Sequence, residues 1–307
     1  MGALTQQDLL LLLGYAIFIF ALGASRFRKS ANEREYFLAA RSAGPLAVGI
    51  SLMVSLASSL GYVAVPTAAN RSGIIMLWSL LALPLCYPYI TRVVIPFYQK
   101  LDVTTPYEYL ERRFGRASRL VASGLFIAWR VTWMGAVLYV PAMALNVATQ
   151  GCVPIVAGVI VLGVFATSYT MLGGLRGVLW ADKAQFVVMF GGIGIALYAI
   201  CTQVPDGFAG VMQRAAETGK LSWTAQGAGW DGTSWLGMLR SYLYTDFTVP
   251  AIVVCFTIGK LANYSVDQLL VQRLLSAKSV RTARHGFLLN CIVFAMFLTL
   301  MTFTGLA

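Results

Sequence analysis

The sequence predicts an all-α polytopic membrane protein, and three observations carry that reading. Of 307 residues, 58% are hydrophobic and 11% are charged, whereas a soluble domain carries about 25% charged residues. Several apolar stretches exceed the roughly 18–20 residues that cross a bilayer. The net charge of +11 is concentrated in alternate loops. Arg26, Arg28, Lys29, Arg34 and Arg41 follow the first apolar run; Lys100, Arg112, Arg113, Arg116 and Arg119 lie between the third and fourth; Arg273, Lys278, Arg281 and Arg284 follow the seventh. This is the positive-inside pattern, so the basicity reports topology and not a nucleic-acid partner.

The chain divides into about eight spans within a single transmembrane domain, 1–307. No basic residue precedes the first, 8–25, and a basic cluster follows it. The N-terminus is therefore expected outside, in a multi-pass protein of the cell (inner) membrane. An n-region without positive charge argues against a cleaved signal peptide. The second span, 45–68, holds the stretch SLMVSLASSLGYVAVP. The third, 73–98, contains Pro84 and Pro88 and ends near Pro96. Between it and the fourth, TTPYEYLERR predicts a short cytoplasmic helix: Thr105 caps it, Pro106 suits its first position and Glu108 completes a capping box. Glu108 and Arg112 then stand one turn apart. Spans four to six are expected over 118–149, 152–172 and 183–204, the last after a glycine turn in LGGLRG. The polar, glycine-rich stretch 205–235 lies outside by alternation. Span seven, 236–262, is interrupted by Pro250, and span eight runs over 287–307.

Five cysteines (Cys86, Cys152, Cys201, Cys255, Cys291) show no C-x-x-C spacing and read as small apolar residues. His285 is the single histidine. Without a zinc-protease motif, a nucleophile motif or a phosphate loop, the sequence does not read as an enzyme, and it implies no cofactor.

Ser51, Ser55, Ser58 and Ser59 fall at offsets expected to share one helical face, followed by Gly61 and Pro66, poor residues for continuing a helix. Serines in a membrane helix can simply pack against their own backbone or a neighbour. The glycine and proline beside them favour instead a broken binding helix, whose freed carbonyls need an occupant, and a cation supplies one. Arg130 lies deep in the 118–149 span by position, where a charge costs at least about 2.5–3.5 kcal/mol. It is either a structural partner for a carboxylate or carbonyl cluster or a contact for an anionic substrate. Lys260 invites the same two readings. Arg240 and Asp246 read as interfacial. Asp182 opens span six as either a surface N-cap or a proton or cation site.

The blocks EYFLAARSAGPLAVGISLMVS (35–55), TTPYEYLERRFG (104–115), LYVPAMALN (138–146), YTMLGGLRGVLWADKAQ (169–185) and DQLLVQRLLSAKS (267–279) resemble the sodium:solute symporter family, the third being closest to its vitamin, iodide and monocarboxylate branch. The resemblance implies an inverted-repeat, five-plus-five helix fold with one extra helix in front, the first repeat complete and the second truncated. It implies sodium as coupling ion, held by the main-chain carbonyls of Val54 and Ala57, and a small-molecule solute facing Ser55, Ser58, Ser59, Gly61 and Asn263, with Arg130 and Lys260 on its path. Asp182 matches the aspartate of the family's W-T-D-x-x-Q motif, with Ala181 in place of the threonine. Leu56, Leu60, Gly61 and Leu80 replace polar groups that sugar carriers use, so a ring of sugar hydroxyls would go unmatched and a small organic anion is expected. Family members continue for several more helices, one of which carries the hydroxyl half of the sodium site. The expectation is therefore the N-terminal part of a sodium-coupled symporter needing a second chain or a missing C-terminal half. The alternatives are a symporter-like sensor or partner-binding module, and an inactive truncated fragment.

Overall fold

The computed structural model describes residues 5–24, 33–101, 103–224, 235–237 and 248–307. Arg26, Arg28, Lys29, Arg240 and Asp246 lie outside the described residues. Within them the chain forms thirteen α-helices: α1 (Gln6–Ala24), α2 (Glu33–Leu38), α3 (Pro45–Leu56), α4 (Ser59–Ser72), α5 (Ala82–Tyr89), α6 (Ile95–Lys100), α7 (Pro106–Phe114), α8 (Arg116–Ala148), α9 (Ile155–Gln203), α10 (Gly207–Glu217), α11 (Val249–Val266), α12 (Gln268–Leu275) and α13 (Val280–Leu306). Six stretches of the described residues are long and apolar enough to cross a membrane: Gln6–Gly23, Ser59–Lys100, Arg116–Ala148, Ile155–Gln203, Val249–Val266 and Val280–Leu306.

The stretch 45–68 is broken, as expected, into two helices, α3 and α4, with Ala57 and Ser58 between them. Three details depart from the expected elements. The stretch 73–98 is a 3-10 helix (Gly73–Leu81), then α5, a π turn (Ile90–Val94) and α6. Pro88 sits just before the π turn, where its missing N–H withdraws one rung of the α ladder. Residues 155–203 are two helices joined end to end across a kink at Gly174 (φ 54, ψ −163), the second beginning well before 183. The glycine turn is thus a kink and not a loop. The stretch 205–235 also holds a helix, α10, that the composition did not suggest.

Two compact units emerge. One comprises Met1–Leu60, Ile95–Phe186 and Gln268–Asn290. Its core takes Val48, Leu52 and Met53 from α3, Val271, Leu274 and Leu275 from α12, and Phe287 from α13, all buried. Around Ala43 the chain is tied to the α12–α13 turn by two backbone bonds, Ala43 N–H to Ser276 O at 3.0 Å and Lys278 N–H to Ala43 O at 3.2 Å. Gly49 and Gly286 let α3 and α13 meet backbone to backbone: a Cβ on Gly49 would lie 2.7 Å from the Gly286 carbonyl oxygen. Close approach through small residues is how helices associate where lipid removes the hydrophobic drive. In the same unit α1 meets the kink of α9, Gly23 against Gly173 and Gly177, and Tyr36 OH donates to Met171 O at 2.9 Å. Helix α7 begins as expected, the Thr105 hydroxyl accepting from Glu108 N–H at 3.1 Å. The Glu108 carboxylate reaches one residue past the cap, taking Thr104 N–H at 2.9 Å, and pairs with Arg112 at 2.5 Å.

The second unit comprises Gly61–Val94, Val187–Asp267 and Cys291–Ala307. Its α10 packs Val211 and Ala215 on Ile74 and Leu306. The chain after α10 accepts Ile74 N–H at the Lys220 carbonyl (2.9 Å) and Trp78 Nε1–H at the Trp223 carbonyl (2.9 Å).

Gly49→Val must push α3 from α13, and overpacking of this kind costs about 1–3 kcal/mol; a lowered melting temperature of the detergent-solubilised protein is the expected result. Partial burial disfavours the Glu108 carboxylate, but the Thr104 hydrogen bonds and Arg112 outweigh it and hold its pKa below the usual 4.5. A depressed carboxyl stabilises fully above its unfolded pKa and loses that contribution as pH falls through the folded value. The stability gap between wild type and Glu108→Gln, followed by thermal unfolding from about pH 7 to about pH 3, therefore narrows on acidification.

Candidate functional site

The helix break is built by where hydrogen bonding stops. Ala57 N–H closes the last turn of α3 on Met53 O at 2.9 Å, and Ala57 itself turns out of the helix (φ −85, ψ 79). Helical bonding resumes only in α4, so Ala57 lies between two ladders, and the Val54 carbonyl is among the end carbonyls that α3 leaves without an intrahelical partner. Such groups inside a membrane need a partner. Carbonyls of this kind are hard, neutral oxygen donors, the chemistry an alkali cation takes.

The four serines do not form one face, because the break interrupts the helical phase after residue 56. Ser51 is fully buried and points to α9 and α12. Ser55 bonds back to Ser51 O at 2.6 Å, a local satisfaction that bends helices. Ser58 lies in the break, half-buried, and Ser59 donates to Val137 O of α8 at 2.9 Å. Ser55, Ser58 and Ser59 are thus gathered about the break, while Ser51 belongs to a second cluster.

That cluster is Ser51, Asp182 and Arg273. Asp182 lies inside α9, well past its kink, and not at a helix start, so the N-cap reading is corrected: the helix has already resumed at Gly174. Asp182 and Arg273 are each only 6% exposed. The Ser51 hydroxyl donates to the Asp182 carboxylate and accepts from Arg273 Nε at 2.7 Å. An Arg273 terminal nitrogen stands 3.6 Å from the same carboxylate, and another donates to Leu269 O at 2.9 Å. A serine nearly two turns before the break therefore bridges a buried ion pair between α9 and α12. Arg273 was legible in sequence only as one basic residue of a loop; the helical period of QLLVQRLL, which puts it on the face of Leu269 and Leu270, is the signal that could have found it.

Other expected site residues are dispersed. Arg130 is half-buried in α8. In the second unit a Cβ on Gly61 would meet only the Phe297 ring at 3.8 Å, so packing does not demand glycine there. Asn263 is exposed near the end of α11, its carbonyl accepting Asp267 N–H at 3.2 Å. Lys260 Nζ stands 3.7 Å from the centre of the Phe294 ring.

With this geometry in place, comparison with known proteins is decisive on kinship. The profile of the sodium:solute symporter family matches residues 36–307. The chain belongs to the sodium:solute symporter family. Among relatives of this symporter-family chain, the sodium/sialic acid symporter SiaT of Proteus mirabilis is 26% identical over 93% of the chain. The human sodium/iodide cotransporter is 30% identical over 84%. A solved sodium-coupled sialic acid symporter, in a substrate-bound outward-open state, superposes with a TM-score of 0.86 at 25% identity over 97% of the chain. The chain spans 54% and 38% of the two relatives' lengths and 60% of the solved chain. The fold is that of a multi-pass, all-helical membrane transporter family.

Removing one member of a buried ion pair strands the other at about 3–5 kcal/mol, more than removing both. Arg273→Met alone should therefore destabilise more than Arg273→Met combined with Asp182→Asn, read as a double-mutant cycle of unfolding free energies.

Proposed function

We propose that the protein acts in sodium-coupled symport of a small organic anion by alternating access. The observation that carries this reading is the break at Ala57 and Ser58, which puts Ala57 between the two helices and the Val54 carbonyl in the last turn of α3, where an α-helix leaves its carbonyls without an intrahelical partner, in a member of a sodium-coupled family. Sodium at these carbonyls orders the break; solute lies beside it at Ser55, Ser58 and Ser59. Ser51 joins α3 to the Asp182–Arg273 pair, so ordering of the break is felt at Asp182, which gives that residue its coupling role. Sodium drives uptake only by binding the outward, solute-competent state more tightly.

The anion is supported by the apolar residues Leu56, Leu60 and Leu80, which offer nothing to sugar hydroxyls, and by the intramembrane cation Arg130. The names of the relatives agree in charge: sialic acid and iodide are both anions at neutral pH. The protein sits in the cell membrane with its N-terminus outside, the orientation the basic loops favour. Transport, and not turnover of a substrate, is its activity.

Cells producing the protein are expected to accumulate labelled sialic acid, iodide or a short monocarboxylate from sodium medium and not from choline medium. Uptake of each that is equal in the two media, or absent from both, overturns the reading.

A further inference from the structure

Lys260 lies on α11 in the middle of a membrane-spanning segment, where an ionisable group marks function unless a partner explains it. Among the described residues no carboxylate pairs with it. Its ammonium faces the Phe294 ring of α13 at 3.7 Å, and the Cys86 thiol of α5 meets the preceding turn of α11. Neither of these neighbours carries a full negative charge as a thiol or an arene.

One turn earlier on the same helix is Thr257. Residues three apart on a helix share a face. The Thr257 hydroxyl oxygen is buried and has no hydrogen-bond partner among the described residues, an uncommon state for a hydroxyl in a membrane helix, which ordinarily bonds back to its own backbone; Thr132, Ser168 and Thr170 of this chain do so at 3.0, 2.7 and 2.6 Å. The Thr257 carbonyl is approached by the Cys86 thiol at 3.5 Å, which places α5 against the same turn. Among the described residues, a cation without a counter-charge and a hydroxyl without a partner therefore stand together on one face of α11, with α5 and α13 against it.

We infer that Lys260 and Thr257 form a carboxylate-binding subsite within this unit, with Phe294 as its apolar wall. A carboxylate has one oxygen for the ammonium and one for the hydroxyl, and it supplies the missing charge. A halide offers a single centre and leaves the hydroxyl geometry unused. The inference rests on the symport reading for its meaning, since the carboxylate is taken to be that of the transported solute, and it assigns to Lys260 the choice among anions.

The test uses thermal unfolding of the purified protein in four salts at equal concentration: sodium chloride, sodium iodide, sodium pyruvate and choline pyruvate. The wild type is expected to melt higher in sodium pyruvate than in sodium chloride or iodide. Lys260→Met should lose this pyruvate increment, Thr257→Val should weaken apparent pyruvate affinity about ten-fold or more, and Lys260→Arg should keep part of it. The arginine and valine variants keep the test open where methionine impairs folding. An equal increment in iodide, no pyruvate increment in the wild type, or an undiminished increment in folded Lys260→Met overturns the subsite. A pyruvate increment that Lys260→Met abolishes, in a protein indifferent to sodium against choline, supports the subsite and sinks the symport reading instead.

Discussion

A bilayer core offers no hydrogen-bond partner to a peptide group, and the rest of this structure follows from that constraint. Long helices satisfy it without side chains, which is why α8 and α9 run 33 and 49 residues with few buried contacts. Against that background a chain that stops its ladder at Ala57 and restarts it at Ser59 is costly unless the freed carbonyls are used. The break is the feature about which the nearby polar side chains are arranged, and they are understood by their relation to it. Ser55 reinforces the last turn before it, Ser59 anchors the first turn after it to α8, and Ser51 reaches the other way.

Glycine serves two different ends in the same fold. At Gly49 and Gly286, and again at Gly23 and Gly173, absence of a side chain lets backbones touch, which supplies dispersion contact where lipid tails remove any hydrophobic preference for protein over solvent. At Gly174 the need is conformational, since a positive φ turns the α9 path and seats the Tyr36 ring against it. Gly61, by contrast, answers to neither demand in its own surroundings.

Polar groups in the spans fall into two kinds. Asp182 and Arg273 are compensated: each meets the other and the Ser51 hydroxyl, a closed cluster whose members lose more by separation than they gain by existing. Among the described residues Lys260 meets a ring and no carboxylate, and the Thr257 hydroxyl meets no partner; such groups are where a membrane protein offers itself to a ligand. The difference cannot be read from residue type, because an aspartate and a lysine in apolar runs look equally exceptional.

Much of the architecture was legible in the residues alone. Apolar run length and the alternation of basic loops determine an all-helical membrane protein, and Thr105, Pro106 and Glu108 determine where α7 begins, because capping is chemistry between neighbours in the chain. Gly61 and Pro66 signalled a break, though the ladder parts earlier, at Ala57 and Ser58. What depends on contacts distant in sequence was decided only by tertiary structure. Arg273 reads as a cytoplasmic basic residue until α12 folds against α3 and brings it to a serine 222 positions away. Asp182 reads as a helix cap until the kink at Gly174 is seen to start the helix sooner. The serine stripe was a projection onto one continuous helix, and it dissolves because two separate helices have independent phases. Local hydrogen bonding and hydropathy are written along the chain; the pairing of buried charges is written only in the packing that makes their isolation from water complete.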